Sequence, residues 1–343
     1  MRYFANAYII DKNKPNNIVM YSISQLREII QNEIKKANYI EEPMSLFEPI
    51  KYIMQDGGKR LRPVLLLMAY NLYRDDIERA YKSAIGIEMF HNYTLLHDDV
   101  MDNADLRRGR QTVHKKWNQN VAILSGDAAA ITSYIYIESV DDIYLRRVIE
   151  GFNQVAMDVC KGQQYDMEFE TRSCVSEEEY IYMIFQKTSV LIAGSIRHGA
   201  LIAGAPECEY NALYDFGGAL GLAFQLQDDY LDVYGDSVEF GKEIGGDIIN
   251  NKKTYLLIKA LELSTPENKQ LLEDWVNKKE FDKNEKIAEV TKLYDKAGIK
   301  DVVNAKINEY LKQSEQILDG LQVDNERKQA FYKIINHLKN RKS

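Results

Sequence analysis

Two stretches of the sequence carry the same set of carboxylates. In LLHDDVMDNADLRRGR, residues 95–110, Asp98, Asp99 and Asp102 form a DDxxD, and in FQLQDDYLDVY, residues 224–234, Asp228, Asp229 and Asp232 repeat it. At about 100° per residue, Asp98 and Asp102 fall on one face of a helix with Asp99 close to Asp102 around the wheel, so each motif is a comb of carboxylates. A single comb reads equally well as a solvated helix end, although acids at a helix C-terminus oppose the macrodipole. Two matching combs, each at the end of an apolar helical run, point to metal. If they face one another, a unit-charge pair at 4 Å costs about 4 kcal/mol at an effective dielectric near 20, and cations must offset the repulsion. Hard oxygen donors with no neighbouring cysteine or histidine cluster favour Mg²⁺, which commonly bridges carboxylates and substrate phosphates. About three Mg²⁺ ions would balance the six aspartates, and the charge of a diphosphate ester would then fall to Lys and Arg.

Those cations are available. GGKRLRP sets Lys59, Arg60 and Arg62 after Gly57 and Gly58, ahead of a helix expected to begin at Pro63, and Arg107 and Arg108 follow the first comb. Each group taken alone reads as a basic turn. Lys187, inside the apolar IFQKTSVLIAG, is harder to set aside, because a lone charge on a buried helical face is costly unless paired, and a diphosphate would pair it. A di-iron bundle is the competing use of acidic helices. It needs two Glu-x-x-His pairs, and only Glu88 and His91 form one; His97, His114, His198 and His337 have no Glu three residues before them.

Long helices are the elements that must position these groups. Between Pro63 and Pro266 the only proline is Pro206, and apolar residues recur at helical spacing in YSISQLREIIQNEI, AYKSAIGIEMFHNYTLL, YIYMIFQKTSVLIAGSI and ALYDFGGALGLAFQLQDDYLDVY. No Gly/Ser or proline-rich linker interrupts them. The expected architecture is all-α: a single-domain bundle of long helices over residues 21–343, with residues 1–20 a loose tail; the terminal KNRKS reads as a frayed end, with a cover over the occupied site as its alternative. A net charge of −8 argues against nucleic acid as a partner. Cys160, Cys174 and Cys208 show no CxxC spacing, which suggests neither a disulfide framework nor a zinc site and fits a cytoplasmic location. SVLIAGSIRHGALIAGA is the nearest approach to a membrane span, and Arg197 and His198 interrupt it; the first twenty residues do not read as a signal peptide.

Together GGKRLRP, LLHDDVMDNADLRRG, FQKTS, FQLQDDYLDVYGD and GKEIGGDIINNKKTY, in that order, resemble the trans-isoprenyl diphosphate synthases, the polyprenyl synthetase family. The resemblance covers about residues 45–260 and is most like the short-chain geranylgeranyl and farnesyl enzymes. It implies an all-α fold with a central cavity, the two combs facing across its mouth, and a homodimer. It implies that an allylic diphosphate binds through Mg²⁺ to Asp98, Asp102 and Asp228, with Asp99, Asp229 and Asp232 as further ligands or supports and Arg107, Lys187, Lys242 and Lys252 as a cationic clamp. Isopentenyl diphosphate would be held by Lys59, Arg62, His91 and Arg108, while Thr188 and Gln225 steady the carbocation. Ionisation of the allylic substrate, attack by the isopentenyl double bond and loss of a proton would lengthen the chain by five carbons.

Tyr93, five residues before Asp98 and therefore roughly 7 to 8 Å deeper along the helix, resembles the family's floor to the growing chain, with Phe90 behind it. The first comb has two residues between its paired and third aspartates, where typical bacterial farnesyl synthases have four; this favours a C15–C20 product, with geranylgeranyl diphosphate ahead, from dimethylallyl, geranyl or farnesyl primers. Two alternatives remain. A class I terpene cyclase usually carries an Asn/Ser/Glu second metal motif where this chain has DDYLD, and a non-catalytic subunit of a prenyl synthase could lose acids that are all present here.

Overall fold

Helical periodicity and capping chemistry set the first elements. In the computed structural model, which describes residues 19–39, 41–55, 57–235 and 244–341, α1 spans Ile23–Lys36 and opens on a capping box between Ser22 and Gln25. It buries Leu26, Ile30 and Ile34, one stripe at helical spacing. After α2 (Met44–Gln55) comes α3 (Leu61–Asn71), which starts two residues before the expected Pro63. The proline falls in the first turn, where its missing N–H has no intrahelical partner to lose, so the helix tolerates it there.

A 3₁₀ turn at Ile77–Ala80 leads into α4 (Tyr81–Met101), the helix of the first comb, which Asp102 caps at its C-terminus. The chain then folds back in a two-strand antiparallel ribbon, β1 (Leu106–Arg107) against β2 (Arg110–Gln111), whose tip uses left-handed backbone at Arg108 and Gly109. The order continues with α5 (Val113–Lys116), α6 (Gln119–Ile137), α7 (Asp142–Thr171) and α8 (Glu177–Ile184). One π turn, Phe185–Ser189, runs directly into α9 (Val190–Ile202), and α10 (Glu207–Tyr234) carries the second comb. Beyond it lie α11 (Gly246–Ile249), α12 (Tyr255–Leu263), α13 (Pro266–Asn277), α14 (Lys283–Lys296), α15 (Ile299–Gly320) and α16 (Asn325–Lys339).

Helix α9 is the hub of the bundle. It is buried along nearly its whole length and packs on α3 from one side and α10 from the other. Glycine makes both approaches close: a β-carbon at Gly199 would lie 2.1 Å from the Leu66 carbonyl oxygen, and one at Gly217 would lie 2.6 Å from the Ala193 α-carbon. Helix α4 packs along α6, and α15 covers the opposite flank of α10. One apolar cluster runs from Leu26 to Leu338 and ties α16 to α10 through the edge-to-face pair Phe216–Phe331. No described helix is long and apolar enough to cross a membrane. This all-α bundle holds the C-terminal ends of α4 and α10, and with them both aspartate combs, on rigid supports.

Candidate active site

The six aspartates do not have one environment. Asp98 is partly buried and Asp102 exposed at the end of α4, and neither makes an ion pair among the described residues. Burial pushes the Asp98 carboxyl above the usual carboxylate range; Lys187 pulls it back and Asp102 adds to the rise. Asp99 turns away from them into the ribbon, where Arg107 donates to it through Nε and Nη2, each at 2.8 Å. That pair anchors the ribbon to α4.

On α10, Asp229 is buried and accepts from the Tyr180 hydroxyl and from Gln225 Nε2 at 3.0 Å. Burial raises its carboxyl strongly, and the nearby Asp247 raises it further. Asp228 pairs with Arg341 at 2.7 Å, and the guanidinium is almost fully enclosed and lies over the Phe224 ring. The expected frayed C-terminus is therefore corrected up to Arg341: α16 delivers that arginine to the second comb because Gln227 holds the Leu338 carbonyl at 2.7 Å and Ile335 and Leu338 are buried. Asp232 accepts from the Asp247 backbone N–H at 2.9 Å, which docks α11 against the comb.

Between the combs lies the π turn. Its wider backbone loop carries Lys187 and Thr188, and a π turn inside a helical run is frequently a feature of functional sites. The Thr188 hydroxyl donates to Gln225 Oε1 at 3.0 Å, so Thr188, Gln225 and Asp229 form one hydrogen-bonded chain. Lys187 reaches Asp166 on α7 at 2.5 Å, giving the lone charge a carboxylate partner within the chain. Gly162 makes room for this: a β-carbon there would lie 2.2 Å from the Lys187 backbone nitrogen.

Lys252 stands 3.8 Å from Asp247. Partial burial lowers the Lys252 ammonium, but Asp247, Asp166, Asp102 and Asp229 together outweigh it and hold the group above its ordinary value. A single ammonium that feels Asp102 of one comb and Asp229 of the other places both on a shared space. Lys242, expected in the same clamp, lies outside the described residues.

The second group of cations gathers one layer away. Arg62, pushed down to about 10 by burial with some help from Arg108, donates Nη1 to His91 Nε2 at 3.0 Å. Burial and the surrounding arginines hold His91 well below its ordinary value, so it is neutral and acts as the acceptor that orients Arg62. Arg108 donates to the Gly57 carbonyl at 2.6 Å, which brings the ribbon tip against the Gly57–Gly58 turn that exposes Lys59. Arg60 belongs elsewhere. It points inward with left-handed backbone, bonds Glu88 at 2.6 Å and the Met54 carbonyl at 2.7 Å, and is fully enclosed. Glu88 is thus a structural counter-ion.

Tyr93 is half-buried and packs on Phe90 at 5.3 Å between ring centres, and Phe90 in turn meets Phe152 of α7 at 5.0 Å. Tyr134 of α6 completes the stack against Phe152 at 4.8 Å. Sequence reasoning missed Asp166, Tyr180, Phe152 and Asp247, and reached Arg341 only as part of the terminal KNRKS. Asp247 sits inside a motif already singled out, GKEIGGDIINNKKTY; the others are brought in from other helices and leave no local spacing to read. Among the described residues no three Asp, Glu, His or Cys side chains stand close enough to hold an ion by themselves. The arrangement is oxygen donors on two helix ends, with cations and hydroxyl dipoles between.

Comparison with known proteins agrees with this geometry. The family model described as polyprenyl synthetase matches residues 43–294. The chain is 38% identical over 282 residues to a short chain isoprenyl diphosphate synthase of Methanocaldococcus jannaschii, covering 82% of this chain and 84% of that one. It is 36% identical to the geranylgeranyl diphosphate synthase of Sulfolobus acidocaldarius, over 80% and 86% of the two chains. Among solved structures, a geranylgeranyl pyrophosphate synthase superposes with a TM-score of 0.90 at 42% identity, over 94% of this chain and 100% of that one. The geranylgeranyl pyrophosphate synthetase of Pyrococcus horikoshii gives 0.85 at 31%, over 93% and 98%. On the family match, these identities and the paired carboxylate helices, the chain belongs to the polyprenyl synthetase family and is a trans-prenyltransferase.

Proposed function

We propose that this enzyme condenses isopentenyl diphosphate with an allylic diphosphate in a Mg²⁺-dependent reaction, that its main product is geranylgeranyl diphosphate, and that it works as a cytoplasmic homodimer. The observation that carries the reading is the pair Asp98 and Asp102, without ion-pair partners among the described residues, across a shared space from the Asp228–Asp232 helix, with Lys187, Thr188 and Gln225 between. The donor set fits Mg²⁺: every candidate ligand is a carboxylate oxygen, and a site with too few protein ligands for a closed cage suits an ion that keeps water and substrate phosphate as its other ligands. Asp98, Asp102 and Asp228 would hold it, with Asp99, Asp229 and Asp232 in support. When bound, it supplies Lewis acidity for the charge that develops on the leaving diphosphate.

The remaining work belongs to the chain. Lys187, Lys252 and Arg107, with Lys242, meet the oxygens of the allylic diphosphate, and Lys59, Arg62 and Arg108 meet those of isopentenyl diphosphate, with neutral His91 fixing the Arg62 fork. Thr188 and Gln225 present oxygen dipoles toward the space where the allylic cation forms. The aromatic stack of Tyr93, Phe90, Phe152 and Tyr134 closes the apolar end and limits the product. Outward-facing Leu124, Ile131 and Ile135 on α6, with Ile143 and Met157 on α7, give an exposed apolar face suited to a second copy of the chain. Cys160, Cys174 and Cys208 are all free and exposed, which suits a reducing compartment.

The test is purified protein alone with Mg²⁺, labelled isopentenyl diphosphate and dimethylallyl, geranyl or farnesyl primers, followed by product sizing. Incorporation of label into a C20 diphosphate is expected. A cyclase would convert the allylic substrate without incorporating label, and a regulatory subunit would turn over nothing alone.

A further inference from the structure

Lys286, in the first turn of α14, is a charge whose own helix gives no reason for it. It is 1% exposed and makes no ion pair among the described residues. Burying an ammonium without a counter-ion is unfavourable, and desolvation lowers this one from its ordinary value. The position also opposes the macrodipole, because α14 opens at Lys283 on the Asp282 cap and a cation is out of place so near a helix N-terminus. A methionine of similar length would fill the same space with neither cost.

What the ammonium holds lies in the next layer. It donates to Asn251 Oδ1 at 2.6 Å and to the Ile249 carbonyl at 3.4 Å, and it lies over the Phe281 ring at 4.1 Å. Both oxygens belong to the turn between α11 and α12. Asn251 has left-handed backbone there, φ 53°, which a residue other than glycine adopts only at some cost, so the turn needs holding. Lys252 follows directly: its N–H donates to the Asp247 carbonyl at 3.0 Å, and its ammonium feels Asp247, Asp166, Asp102 and Asp229. Lys253 then crosses to the Glu170 carbonyl on α7 at 3.1 Å. Lys252 is thus bracketed by an anchor to α14 on one side and an anchor to α7 on the other. Helix α14 is itself seated on the start of α11, since a β-carbon at Gly245 would lie 2.6 Å from the Ile287 side chain.

We propose that Lys286 is a positioning residue for prenyl transfer, acting through Asn251 and Ile249 to fix the turn that aims Lys252 at the allylic diphosphate. The inference rests on Lys252 being part of the diphosphate clamp. Enclosed as it is, Lys286 touches no substrate, so its effect on turnover passes through the side chain it places. A supporting contact of this kind matters because a clamp works only when held close to its productive geometry.

The experiment is steady-state kinetics on the full-length protein at saturating Mg²⁺, measuring kcat/KM for geranyl diphosphate and KM for isopentenyl diphosphate in Lys286→Met, Lys252→Met and the double variant. Lys252→Met should lower kcat/KM for geranyl diphosphate about tenfold or more. Lys286→Met should lower it about three- to tenfold and leave KM for isopentenyl diphosphate unchanged. In the Lys252→Met background, Lys286→Met should cost almost nothing further, because the group it positions is gone. Asn251→Gly keeps left-handed backbone accessible and removes the acceptor. It should reproduce Lys286→Met, and it takes that variant's place in the cycle if the buried substitution unfolds the chain.

Additive losses in the double variant, or equal losses toward both substrates, would make Lys286 merely structural and overturn the proposal. So would wild-type kinetics in Lys286→Met and Asn251→Gly beside a loss in Lys252→Met, a result that leaves the clamp standing. Wild-type kinetics in Lys252→Met would refute the clamp reading itself, and the proposal with it.

Discussion

The depth of the aromatic stack sets a ruler for product length. Helix α4 rises 1.5 Å per residue, so Tyr93 lies about 7.5 Å below Asp98, Phe90 about 12 Å and Ile87 about 16 Å. An extended isoprene unit adds four chain bonds and spans roughly 5 Å at ordinary bond lengths of about 1.5 Å, close to one 5.4 Å helical turn. Each aromatic layer removed should therefore admit about one more unit. Tyr93→Ala takes away the upper layer and leaves Phe90 braced by Phe152 at 5.0 Å, so the dominant product should move from C20 to C25 and stop there. Tyr93→Ala/Phe152→Ala releases Phe90 as well and opens the way toward Ile87, giving C30 or longer.

Phe152→Ala alone should leave the length unchanged, because Tyr93 still closes the space above it. Phe152 is only 4% exposed, so its truncation should cost about 3 to 5 kcal/mol, and thermal melts must show each variant folded before its products are read. The assay is labelled isopentenyl diphosphate with a farnesyl primer, dephosphorylation and reversed-phase chromatography. A folded double variant that still stops at C20 would refute the ruler and remove the stack from this role.

Other expectations follow from individual contacts. Lys187→Met should lower kcat/KM by roughly ten- to a hundredfold, the scale of one charge-assisted hydrogen bond to a diphosphate, while Asp166→Asn alone costs much less; equal losses in both would make the pair merely structural. Arg341→Ala should release Asp228 and lower the Mg²⁺ concentration for half-maximal rate by up to about fivefold, the worth of a partly exposed ion pair, and an unchanged metal titration would count against this. His198 gives a pH effect with a definite sign. Its folded value of about 4 lies below the unfolded value near 6.5, so between them the unfolded chain binds the extra proton and stability falls as pH drops. From pH 6.5 to 5 the loss is about 2 kcal/mol, and denaturant melts of His198→Gln over that range should show a correspondingly shallower decline.

Much of the fold was legible because helical periodicity and the near-absence of proline are local signals, and α1, α4, α9 and α10 fall where that spacing puts them. The start of α3 was misjudged because proline is tolerated through the first turn and marks a helix start only to within a few residues. Within the site, the combs could be read because three aspartates at fixed spacing leave a pattern. What could not be read was which aspartate faces the shared space. Asp99 and Asp102 are close on a helical wheel, yet one is drawn into the ribbon by Arg107, a choice made by chain reversal through Arg108 and Gly109. The same limit hid Asp166 and Tyr180, and the pairing of Arg341 with Asp228, contacts made across 21, 49 and 113 residues.

These internal partners explain how a charge-dense mouth is stable before substrate arrives. Lys187 is matched by Asp166, Arg107 by Asp99, Lys252 by Asp247 and Arg341 by Asp228, so the clamp cations already have carboxylate neighbours in the folded chain. Without such pairing, desolvated charges at these positions would cost several kcal/mol each. Asp98 and Asp102 lack an ion pair among the described residues, and burial raises the Asp98 carboxyl. The uncompensated charge is thus negative and concentrated at the end of α4, where a divalent cation gains most by binding. On this view the diphosphate arrives at cations whose present partners are exchangeable, and it need supply only the difference between its own oxygens and a carboxylate. Substrate binding becomes a change of partners on a fixed scaffold, which is why the rigid contact of α9 with α3 and α10, through Gly199 and Gly217, is as much a part of the site as the aspartates it holds in place.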